Sequence, residues 1–206
     1  MSVAIVDYGM GNVRSLTNAL AYVGEDVIVT ADPAELAAAD RLLLPGVGAF
    51  GDAMVAMHER GLVDPLTHLA MVVRKPVLGV CLGMQLFAET SVEHGEHRGL
   101  GWLAADIAPL EPETPAKVPH VGWNSIRFAT DDWLFRGVPV AQADFYFVHS
   151  LHMLCRDASD CIATTDHGGP ITAVVRRDNL VATQFHPEKS QDNGIQLLQN
   201  WLDHEF

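Results

Sequence analysis

One cysteine in this chain stands at the end of an apolar run, with a glycine two residues to either side. The run over residues 76–80 leads into Cys81, and Gly79 and Gly83 flank it. Glycine at both positions allows a sharp turn from strand to helix that pushes the apex side chain into a cleft. A helix expected from residue 84 to about residue 90 would supply free N–H groups that favour thiolate, the attacking form of sulfur. The alternative is a small core residue, because buried cysteines often only pack.

A base and a carboxylate flank a proline near the other end of the chain. His186 and Glu188 lie on either side of Pro187, after a strand expected over residues 180–185. In an extended segment the side chains at positions i and i+2 leave on the same side, and proline keeps the preceding residue extended. Glu188 can then orient the imidazole and stabilise its protonated form. These residue types predict a base and an orienting acid for the nucleophile Cys81; a surface turn is the alternative for the His-Pro-Glu segment.

A glycine-rich stretch, residues 46–51, matches the dinucleotide fingerprint Gly-x-Gly-x-x-Gly between an expected strand and an expected helix. Three features count against nucleotide binding: Pro45 interrupts the entry, the stretch is not in the first strand-helix unit, and no carboxylate follows at a strand end to bind a ribose. A flexible backbone beside the nucleophile can instead present N–H groups to an oxyanion. A plain tight turn is the remaining alternative.

Length and composition limit the classes of protein to consider. With 206 residues, 49% of them hydrophobic, and no linker or low-complexity stretch, the chain is expected to form a single domain over residues 1–206. A formal net charge of −13 disfavours binding to nucleic acid or to an anionic membrane, because both require clustered Lys and Arg. Three cysteines without metal-type spacing, and no leader or long apolar segment, predict a reduced cytoplasmic protein. We expect Cys155 and Cys161 to be structural.

Histidine is abundant, but its spacing does not indicate a metal site. The chain has 10 histidines, and two pairs are close in sequence, His94 with His97 and His149 with His152. Neither pair has a third ligand at motif spacing, and the chain has no HExxH motif. We therefore expect no metal and no cofactor.

The elements that must position these residues alternate between strand and helix in the first half of the chain. Apolar runs predict strands over residues 3–6, 26–30, 41–44 and the run before Cys81. Helices are expected from Asn12 to Gly24, over residues 34–39, and over about residues 52–74 with breaks near Gly61 and Pro65. This alternation predicts a doubly wound, mostly parallel α/β sheet with helices on both faces, and it places Cys81 at the carboxyl end of a central strand.

From about Trp102 onward, the pattern changes to short β-rich segments separated by turn residues. Strands are expected over residues 118–128, 144–149, 161–165, 171–176 and 180–185. They predict an antiparallel extension of the same sheet. A final amphipathic helix over residues 192–203, with Leu198 and Trp201 among its apolar residues, should close the fold.

Several blocks of sequence together resemble a known family. The Gly-Val-Cys-Leu-Gly-Met-Gln block around Cys81 and the segment from His186 to Glu188 are similar to the triad-type, or class I, glutamine amidotransferases, which have a flavodoxin-like fold. Further blocks resemble one branch of that family, the glutaminase subunits of imidazole glycerol phosphate synthases. These blocks cover residues 7–12, 44–51, 117–124, 146–150 and 184–190, and so extend over nearly the whole chain.

This resemblance implies a glutaminase that works with a second subunit. Glutamine would be hydrolysed to glutamate and ammonia, and the ammonia would pass to a (β/α)₈-barrel cyclase subunit. There it would be used to make imidazole glycerol phosphate and a carboxamide ribotide in histidine biosynthesis. Cys81 would form a γ-glutamyl thioester, His186 would protonate the departing ammonia and then activate water, and Glu188 would orient His186. The cyclase's ligand would activate the glutaminase by rearranging residues 45–48.

The resemblance also implies roles for other residues. Backbone N–H groups of Val47 and Leu82 would form the oxyanion hole. The glutamine pocket would be lined by Gly48, Gln85, Glu93, His149 and Ser150. For Gln85 and Glu93 the alternative is a solvated helix face. The surface presented to the cyclase would contain Gly11, Asn12, His120, Trp123 and Asn124, although a tryptophan in a β-rich segment is as often a core residue.

Three segments depart from the pattern of that family, namely Ala182, residues 151–152 and residues 166–170. None of them belongs to the expected triad, so they bear on loop shape and on docking.

Two other functions compete with that of a synthase glutaminase. Another class I glutaminase or a γ-glutamyl hydrolase would share the chemistry but not the partner, whereas a non-catalytic regulatory module would not need the triad. The blocks at residues 7–12 and 119–124 favour the synthase glutaminase.

Overall fold

A computed structural model describes residues 1–206 as two β-sheets with helices packed around them. The strands, in chain order, are β1 (Ser2–Val6), β2 (Asp26–Thr30), β3 (Arg41–Leu44), β4 (Val77–Val80), β5 (Thr90–Ser91), β6 (His97–Arg98), β7 (Ala105–Pro109), β8 (His120–Phe128), β9 (Asp144–His149), β10 (Leu151–Cys155), β11 (Cys161–Asp166), β12 (Pro170–Arg177) and β13 (Leu180–Thr183). The helices are α1 (Val13–Tyr22), α2 (Pro33–Ala38), α3 (Phe50–Glu59), α4 (Val63–Thr67), α5 (Leu82–Gln85) and α6 (Gln191–Asp203). None of these helices combines the length and the apolar content that crossing a bilayer requires.

Nine strands form the larger sheet, in the order β2-β1-β3-β4-β13-β12-β11-β8-β9. The first five strands in this order are parallel, and each of the remaining four pairs antiparallel with its neighbour. The predicted mostly parallel sheet with an antiparallel extension is therefore confirmed. Since β4 lies among the parallel strands and ends directly before Cys81, the cysteine occupies the carboxyl edge of a central strand.

Both faces of the parallel part of the sheet are covered. Every residue of β3, β4 and β13 is buried. One face packs on a cluster that includes Phe50 and Met57 of α3, and the other face packs on a cluster that includes Leu16 of α1 and Trp201 of α6. Central strands that are buried from end to end need helices on both sides, as parallel sheets generally do.

The sequence does not predict the smaller sheet, whose four strands have the order β10-β7-β5-β6. Its strands β5 and β6 are too short to show an alternating pattern of apolar and polar residues. One residue, Ser150, separates β9 of the larger sheet from β10 of the smaller sheet. His149 and Ser150 therefore lie where the two sheets meet.

The helix after Cys81 is shorter than predicted. α5 begins directly after the cysteine and is a single turn, whereas the sequence suggested a helix over residues 84–90. The carbonyl groups of Leu86, Phe87 and Ala88 accept hydrogen bonds from the backbone of residues 100–103. Because these carbonyls are engaged elsewhere, the helix cannot continue.

Two proline-containing segments also differ from expectation. The helical region after β3 breaks at Gly61, as predicted, but not at Pro65, which lies in the first turn of α4 where a backbone N–H is not needed. Pro187 begins a 3-10 turn, so His186 is extended but Glu188 is not. The pairing of His186 with Glu188 therefore depends on a tight turn and not on strand alternation.

Candidate active site

Cys81 occupies the sharp turn between β4 and α5. Its φ of +55° and ψ of −109° are a backbone conformation that residues other than glycine rarely adopt. Its N–H donates to the carbonyl of Thr183 in β13, with an N···O distance of 2.8 Å. Gly83 is required by close packing, since a Cβ there would lie 1.9 Å from the carbonyl oxygen of Leu44. The neighbouring strands therefore hold this cysteine in a strained turn at the edge of the sheet.

Cys81 lines a cavity of about 450 Å³, a size that can enclose an amino acid. The cavity brings together nine of the ten residues expected in catalysis, oxyanion binding and glutamine binding: Val47, Gly48, Cys81, Leu82, Gln85, Glu93, His149, Ser150 and His186. The tenth, Glu188, is hydrogen-bonded to His186 and does not line the cavity. Another cavity, of about 330 Å³ beside Glu113 and His167, has no cysteine in its wall.

His186 and Glu188 form a buried pair. Nδ1 of His186 lies 2.8 Å from Oε1 of Glu188, and the two side chains are 2% and 0% exposed. The hydroxyl of Ser190 donates to the carbonyl of His186 at 2.6 Å and so fixes the turn. Burial alone would lower the pKa of His186, but the neighbouring Cys81 and Glu188 outweigh it and raise that pKa to about 9. The surroundings therefore favour a protonated imidazole.

The sulfur of Cys81 has two polar neighbours in addition to His186. Sγ lies 4.0 Å from the carbonyl oxygen of Val148 and 3.8 Å from Nε2 of Gln184. Nε2 of His186 is buried and has no hydrogen-bond partner, so no hydrogen bond of regular geometry joins it to the sulfur in this conformation. Since both side chains line the same cavity, this nitrogen is available to exchange a proton with a group bound there.

Gln85 and Glu93 belong to the cavity wall, which rules out the alternative of a solvated helix face. Gln85 is buried, and its Nε2 donates to the carbonyl of Leu151 at 3.2 Å and to Oε1 of Gln184 at 3.1 Å. Glu93 is half-buried and accepts a hydrogen bond of 2.5 Å from the N–H of Phe50 at the start of α3. Both side chains are therefore held in fixed positions.

Tyr8 anchors the segment that leads to Val47. The buried hydroxyl of Tyr8 donates to the carbonyl of Pro45 at 2.7 Å, and burial raises the pKa of Tyr8, so the hydroxyl keeps its proton. Gly46 packs so tightly that a Cβ would lie 2.7 Å from neighbouring backbone. By contrast, Val47 and Gly48 are exposed, and Gly48 has a φ of +108°. The peptide bond that carries the N–H of Val47 therefore joins the anchored residues 45–46 to the exposed residues 47–48.

A chain of hydrogen bonds with a fixed direction runs across β8 and β9. Nδ1 of His149 lies 2.7 Å from the carbonyl of Leu151, which can only accept, so this nitrogen carries the hydrogen. Nε2 of His149 must then accept from Nδ1 of His120 at 3.0 Å, and Nε2 of His120 accepts from Nδ2 of Asn124 at 3.2 Å. Burial lowers the pKa of His149 to about 3 and that of His120 to about 4. Both rings are therefore neutral near pH 7.

Strand alternation divides the residues expected at the partner surface. Along β8, Val121 and Trp123 point outward, and Trp123 is 48% exposed, so it is not a core residue. His120 is only 3% exposed, because it lies on the other face of the strand, stacked on Phe147 and His167. This corrects the expectation that His120 forms part of an exposed surface. The side chain of His120 packs beneath β8, on the side of the strand opposite to Trp123.

The other three residues expected at the partner surface are half-buried. Asn124 shares the inner face of β8 with His120, to which it donates a hydrogen bond. Gly11 and Asn12 directly precede α1, and Gly11 is in tight contact with Pro45. The loop before α1 therefore lies against the segment that leads to Val47.

All three cysteines are free, and two of them are poorly suited to act as nucleophiles. Burial raises the pKa of the Cys155 thiol to about 12 and also raises that of Cys161, so neither thiol ionises near neutral pH. No three His, Cys, Asp or Glu side chains come together in a way that could hold a metal ion.

Sequence reasoning misses two residues at this site. Gln184 lies next to the sulfur, and it is fully buried at the end of an apolar strand. A polar side chain directly after such a strand, and two residues before His186, was the signal that could have found it. For Tyr8, nothing in the sequence links the hydroxyl to the distant carbonyl of Pro45.

Comparison with known proteins gives matches along nearly the whole chain. The family "Glutamine amidotransferase class-I" matches residues 4–204. The imidazole glycerol phosphate synthase subunit HisH 2 of Nitrobacter winogradskyi is 46% identical over 205 residues, which cover 97% of this chain and 97% of that protein. The imidazole glycerol phosphate synthase subunit HisH of Zymomonas mobilis is 46% identical over 208 residues, with coverage of 98% and 95%.

Solved structures share the fold. The chain aligns with the structure of PurLQS from Thermotoga maritima with a TM-score of 0.74 and 18% identity, covering 98% of this chain and 97% of that one. The crystal structure of a glutamine amidotransferase gives a TM-score of 0.71 and 20% identity, covering 98% and 97%. At these identities the likeness concerns the fold alone.

Proposed function

Since the chain belongs to the class I glutamine amidotransferases, and within them to the HisH subunits of imidazole glycerol phosphate synthase, we propose that it hydrolyses glutamine to glutamate and ammonia. The ammonia passes to a cyclase subunit that uses it to make imidazole glycerol phosphate and a carboxamide ribotide in histidine biosynthesis. One observation carries this proposal. Cys81 and His186, from distant parts of the chain, line one cavity of amino-acid size, with Glu188 hydrogen-bonded behind the imidazole.

Cys81 is the nucleophile of the proposed reaction. Its thiolate attacks the side-chain carbonyl carbon of glutamine, and the carbonyl π electrons move to oxygen. When this tetrahedral intermediate collapses, the C–N bond breaks, His186 gives a proton to the leaving nitrogen, and a γ-glutamyl thioester remains. His186 then takes a proton from water as the water attacks the thioester, and the C–S bond breaks to release glutamate. Glu188 stabilises the imidazolium that exists before the first of these proton transfers and again after the second.

Backbone N–H groups stabilise the negative oxygen of both tetrahedral intermediates. Leu82 is the first residue of α5, where an N–H has no partner within the helix. Val47 follows the anchored Pro45, and rotation of its peptide decides whether its N–H faces the cavity. Loss of one oxyanion donor typically lowers kcat about 10²–10³-fold. Misorientation of this single N–H would therefore keep the isolated chain nearly inactive until the cyclase and its ligand reorient it.

The wall of the cavity binds the rest of the glutamine molecule. The carboxylate of Glu93 takes the α-ammonium group, and it is already held in place by the N–H of Phe50. Gly48 and Ser150, both exposed at the cavity, offer backbone groups to the α-carboxylate. Gln85 and His149 complete the buried side of the pocket.

The cyclase docks on an exposed apolar patch formed by β8 and β9. Val121 lies opposite Val148 and Trp123 lies opposite Tyr146 across the two strands. Val121, Trp123 and Val148 are all exposed, and contiguous apolar surface of this kind usually marks an interaction site, with tryptophan a frequent anchor. The carbonyl of Val148 also lies 4.0 Å from the sulfur of Cys81, so the patch adjoins the wall of the catalytic cavity.

Gly11, Asn12 and Asn124, which are half-buried, stay predictions of further contacts with the cyclase. We place the enzyme in the cytoplasm, as one domain spanning residues 1–206.

A loss of cyclase affinity in Trp123→Ala tests the docking surface, since truncation of an anchoring tryptophan typically weakens binding about 30-fold or more. Val72→Ala, which removes an exposed apolar side chain from another part of the chain, is the matched control. An unchanged affinity of Trp123→Ala would place the cyclase on another surface.

A glutaminase assay tests the proposed activity. The purified chain is assayed alone, with the cyclase, and with the cyclase and its nucleotide ligand. We expect slow hydrolysis by the isolated chain and an increase of orders of magnitude in the complete mixture. Cys81→Ala should be inactive under every condition, whereas Cys155→Ala should retain activity. Equal turnover with and without the cyclase would reject the coupled reaction, and an active Cys81→Ala would reject the nucleophile.

A further inference from the structure

Gln184 is buried against the sulfur of Cys81, and the mechanism above gives it no role. Its side chain is 0% exposed, and its Nε2 lies 3.8 Å from Sγ. Its backbone N–H donates to the carbonyl of Ala173 at 2.8 Å, which holds the residue in the sheet. A buried amide lowers stability unless its hydrogen bonds are satisfied. Of the hydrogen-bond donors on Gln184, the one that faces the sulfur is therefore the one that needs an explanation.

The orientation of this amide is fixed by its neighbours. The carbonyl of Leu151 can only accept, so Gln85 must turn its NH₂ group towards it. The second hydrogen of that NH₂ group points to the side chain of Gln184, which must therefore accept it through Oε1; the N···O distance is 3.1 Å. The NH₂ group of Gln184 then lies on the other side of the amide, next to Cys81. The carbonyl of Leu151 thus fixes the orientation of the Gln85 amide, and this amide fixes that of Gln184. As a result, an N–H donor of Gln184 lies beside the sulfur.

We propose that Gln184 is a catalytic residue that stabilises negative charge on the sulfur of Cys81, and that Gln85 and the carbonyl of Leu151 are its positioning groups. A neutral thiol can donate its proton to the carbonyl of Val148, 4.0 Å away, and needs no donor. A thiolate can only accept, and the N–H of Gln184 is then its partner. The sulfur is negative before it attacks glutamine and again when the C–S bond of the thioester breaks. This assignment to the reaction rests on the proposed glutaminase function.

The role of Gln184 differs from that of the oxyanion donors. Val47 and Leu82 would act on the substrate oxygen, whereas Gln184 would act on the enzyme's sulfur before any substrate binds. Gln184 should therefore govern the reactivity of Cys81 towards an unrelated electrophile as well. Hydrogen bonds to charged groups correspond to roughly tenfold to hundredfold in an equilibrium, so a loss of about tenfold in reactivity is expected without Gln184.

Alkylation by iodoacetamide, followed by peptide mass spectrometry, measures this reactivity in the full chain. Gln184→Met and Gln184→Leu both remove the donor and leave a side chain of comparable size. We expect either change to slow alkylation of Cys81 about tenfold. Gln142→Met, at an exposed position, should leave the rate unchanged. The rates at Cys155 and Cys161 in the same digests report on the fold, and a Gln184 variant that keeps those rates but alkylates Cys81 as fast as the unmodified chain overturns the proposal.

Steady-state kinetics with the cyclase and its ligand separate this role from substrate binding. Loss of a donor to the sulfur should lower kcat and leave KM for glutamine within about twofold, because Gln184 does not line the cavity. A rise in KM with unchanged kcat would assign Gln184 to binding and overturn the proposal. If Cys81 shows the expected alkylation rates but the chain never hydrolyses glutamine, the glutaminase function fails and the effect on the sulfur stands. Glutaminase activity together with unchanged alkylation rejects the role of Gln184 alone.

Discussion

The 3-10 turn that holds His186 and the strand pair that holds His120 each bury a histidine, but they differ in the charge that they favour on its ring. The surroundings raise the pKa of His186 to about 9 and lower that of His120 to about 4. Both rings are buried and each makes a hydrogen bond through a ring nitrogen, so burial and hydrogen bonding alone do not explain the difference. The groups that face the two rings explain the difference in pKa.

His186 faces a carboxylate, whereas His120 faces only neutral groups. Glu188 accepts from His186 through Oε1, and its Oε2 is buried without another partner, so His186 is the group with which this side chain pairs. His120 instead lies between the ring of His149 and the amide of Asn124, with the ring of His167 stacked on it, and no carboxylate is hydrogen-bonded to it. A buried histidine keeps a proton when an anion faces it and stays neutral otherwise. The pairing of His186 with Glu188 suits proton transfer, whereas the hydrogen bonds of His120 with neutral partners suit a structural role, as a rigid neutral wall.

Glu188→Gln should have the largest effect, because it removes the anion and keeps the size of the side chain. Without the carboxylate, burial lowers the pKa of His186, and the imidazolium loses its stabilising partner. The equivalent change in a hydrolase triad lowers kcat about 10⁴-fold, so we expect a fall of roughly 10²–10⁴-fold in glutaminase kcat measured with the cyclase and its ligand.

The matched control for this change is Glu59→Gln, which neutralises an exposed carboxylate at the end of α3. Its kcat should equal that of the unmodified chain. His120→Gln should lower kcat far less than Glu188→Gln, because no charge develops on that ring during the reaction. Equal losses in the two regions would contradict the contrast between a proton-transferring pair and a neutral wall.

Stability in mild acid gives an effect of intermediate size. The pKa of His120, ordinarily 6.5, is about 4 in the folded chain, and that of His149 is about 3. These groups take no charge above pH 6.5, but below it the unfolded chain binds protons that the folded chain cannot. Stability therefore falls as the pH drops from 6.5 towards 4, by about 2 kcal/mol per histidine at pH 5. Urea unfolding at pH 7 and pH 5 measures this loss, and His120→Gln should reduce it by about 2 kcal/mol.

His186 does not contribute to that loss, because its shift has the opposite sign. Its raised pKa stabilises the folded chain fully below pH 6.5, and this stabilisation disappears as the pH rises through about 9. His58→Gln, at an exposed position of α3, is the control and should show the same acid sensitivity as the unmodified chain. If His120→Gln is as sensitive to acid as this control, His120 is not held neutral in the folded state.

The sequence allowed the grouping of Cys81, His186 and Glu188 to be predicted because the signals around these residues are local. Glycines around Cys81 indicate the turn, and the proline between His186 and Glu188 indicates a stiff presentation. The side of β8 that faces inward could not be predicted, since alternation fixes only that Trp123 and His120 point to opposite faces. The hydrogen bonds that orient Gln184 also depend on a carbonyl in the smaller sheet, which the sequence does not predict.

The smallest expected effect comes from giving the neutral region a carboxylate of its own. In Asn124→Asp an oxygen replaces the nitrogen that donates to Nε2 of His120 at 3.2 Å. An anion at this distance favours the imidazolium, so the pKa of His120 should rise from about 4 by one or more units. A two-dimensional NMR titration of the histidine ring signals measures the shift. Asn124→Leu, which has the same shape but no charge, should not raise the pKa. If the two variants titrate alike, the partner's charge does not decide the protonation of this ring, and the explanation given for His186 loses its support.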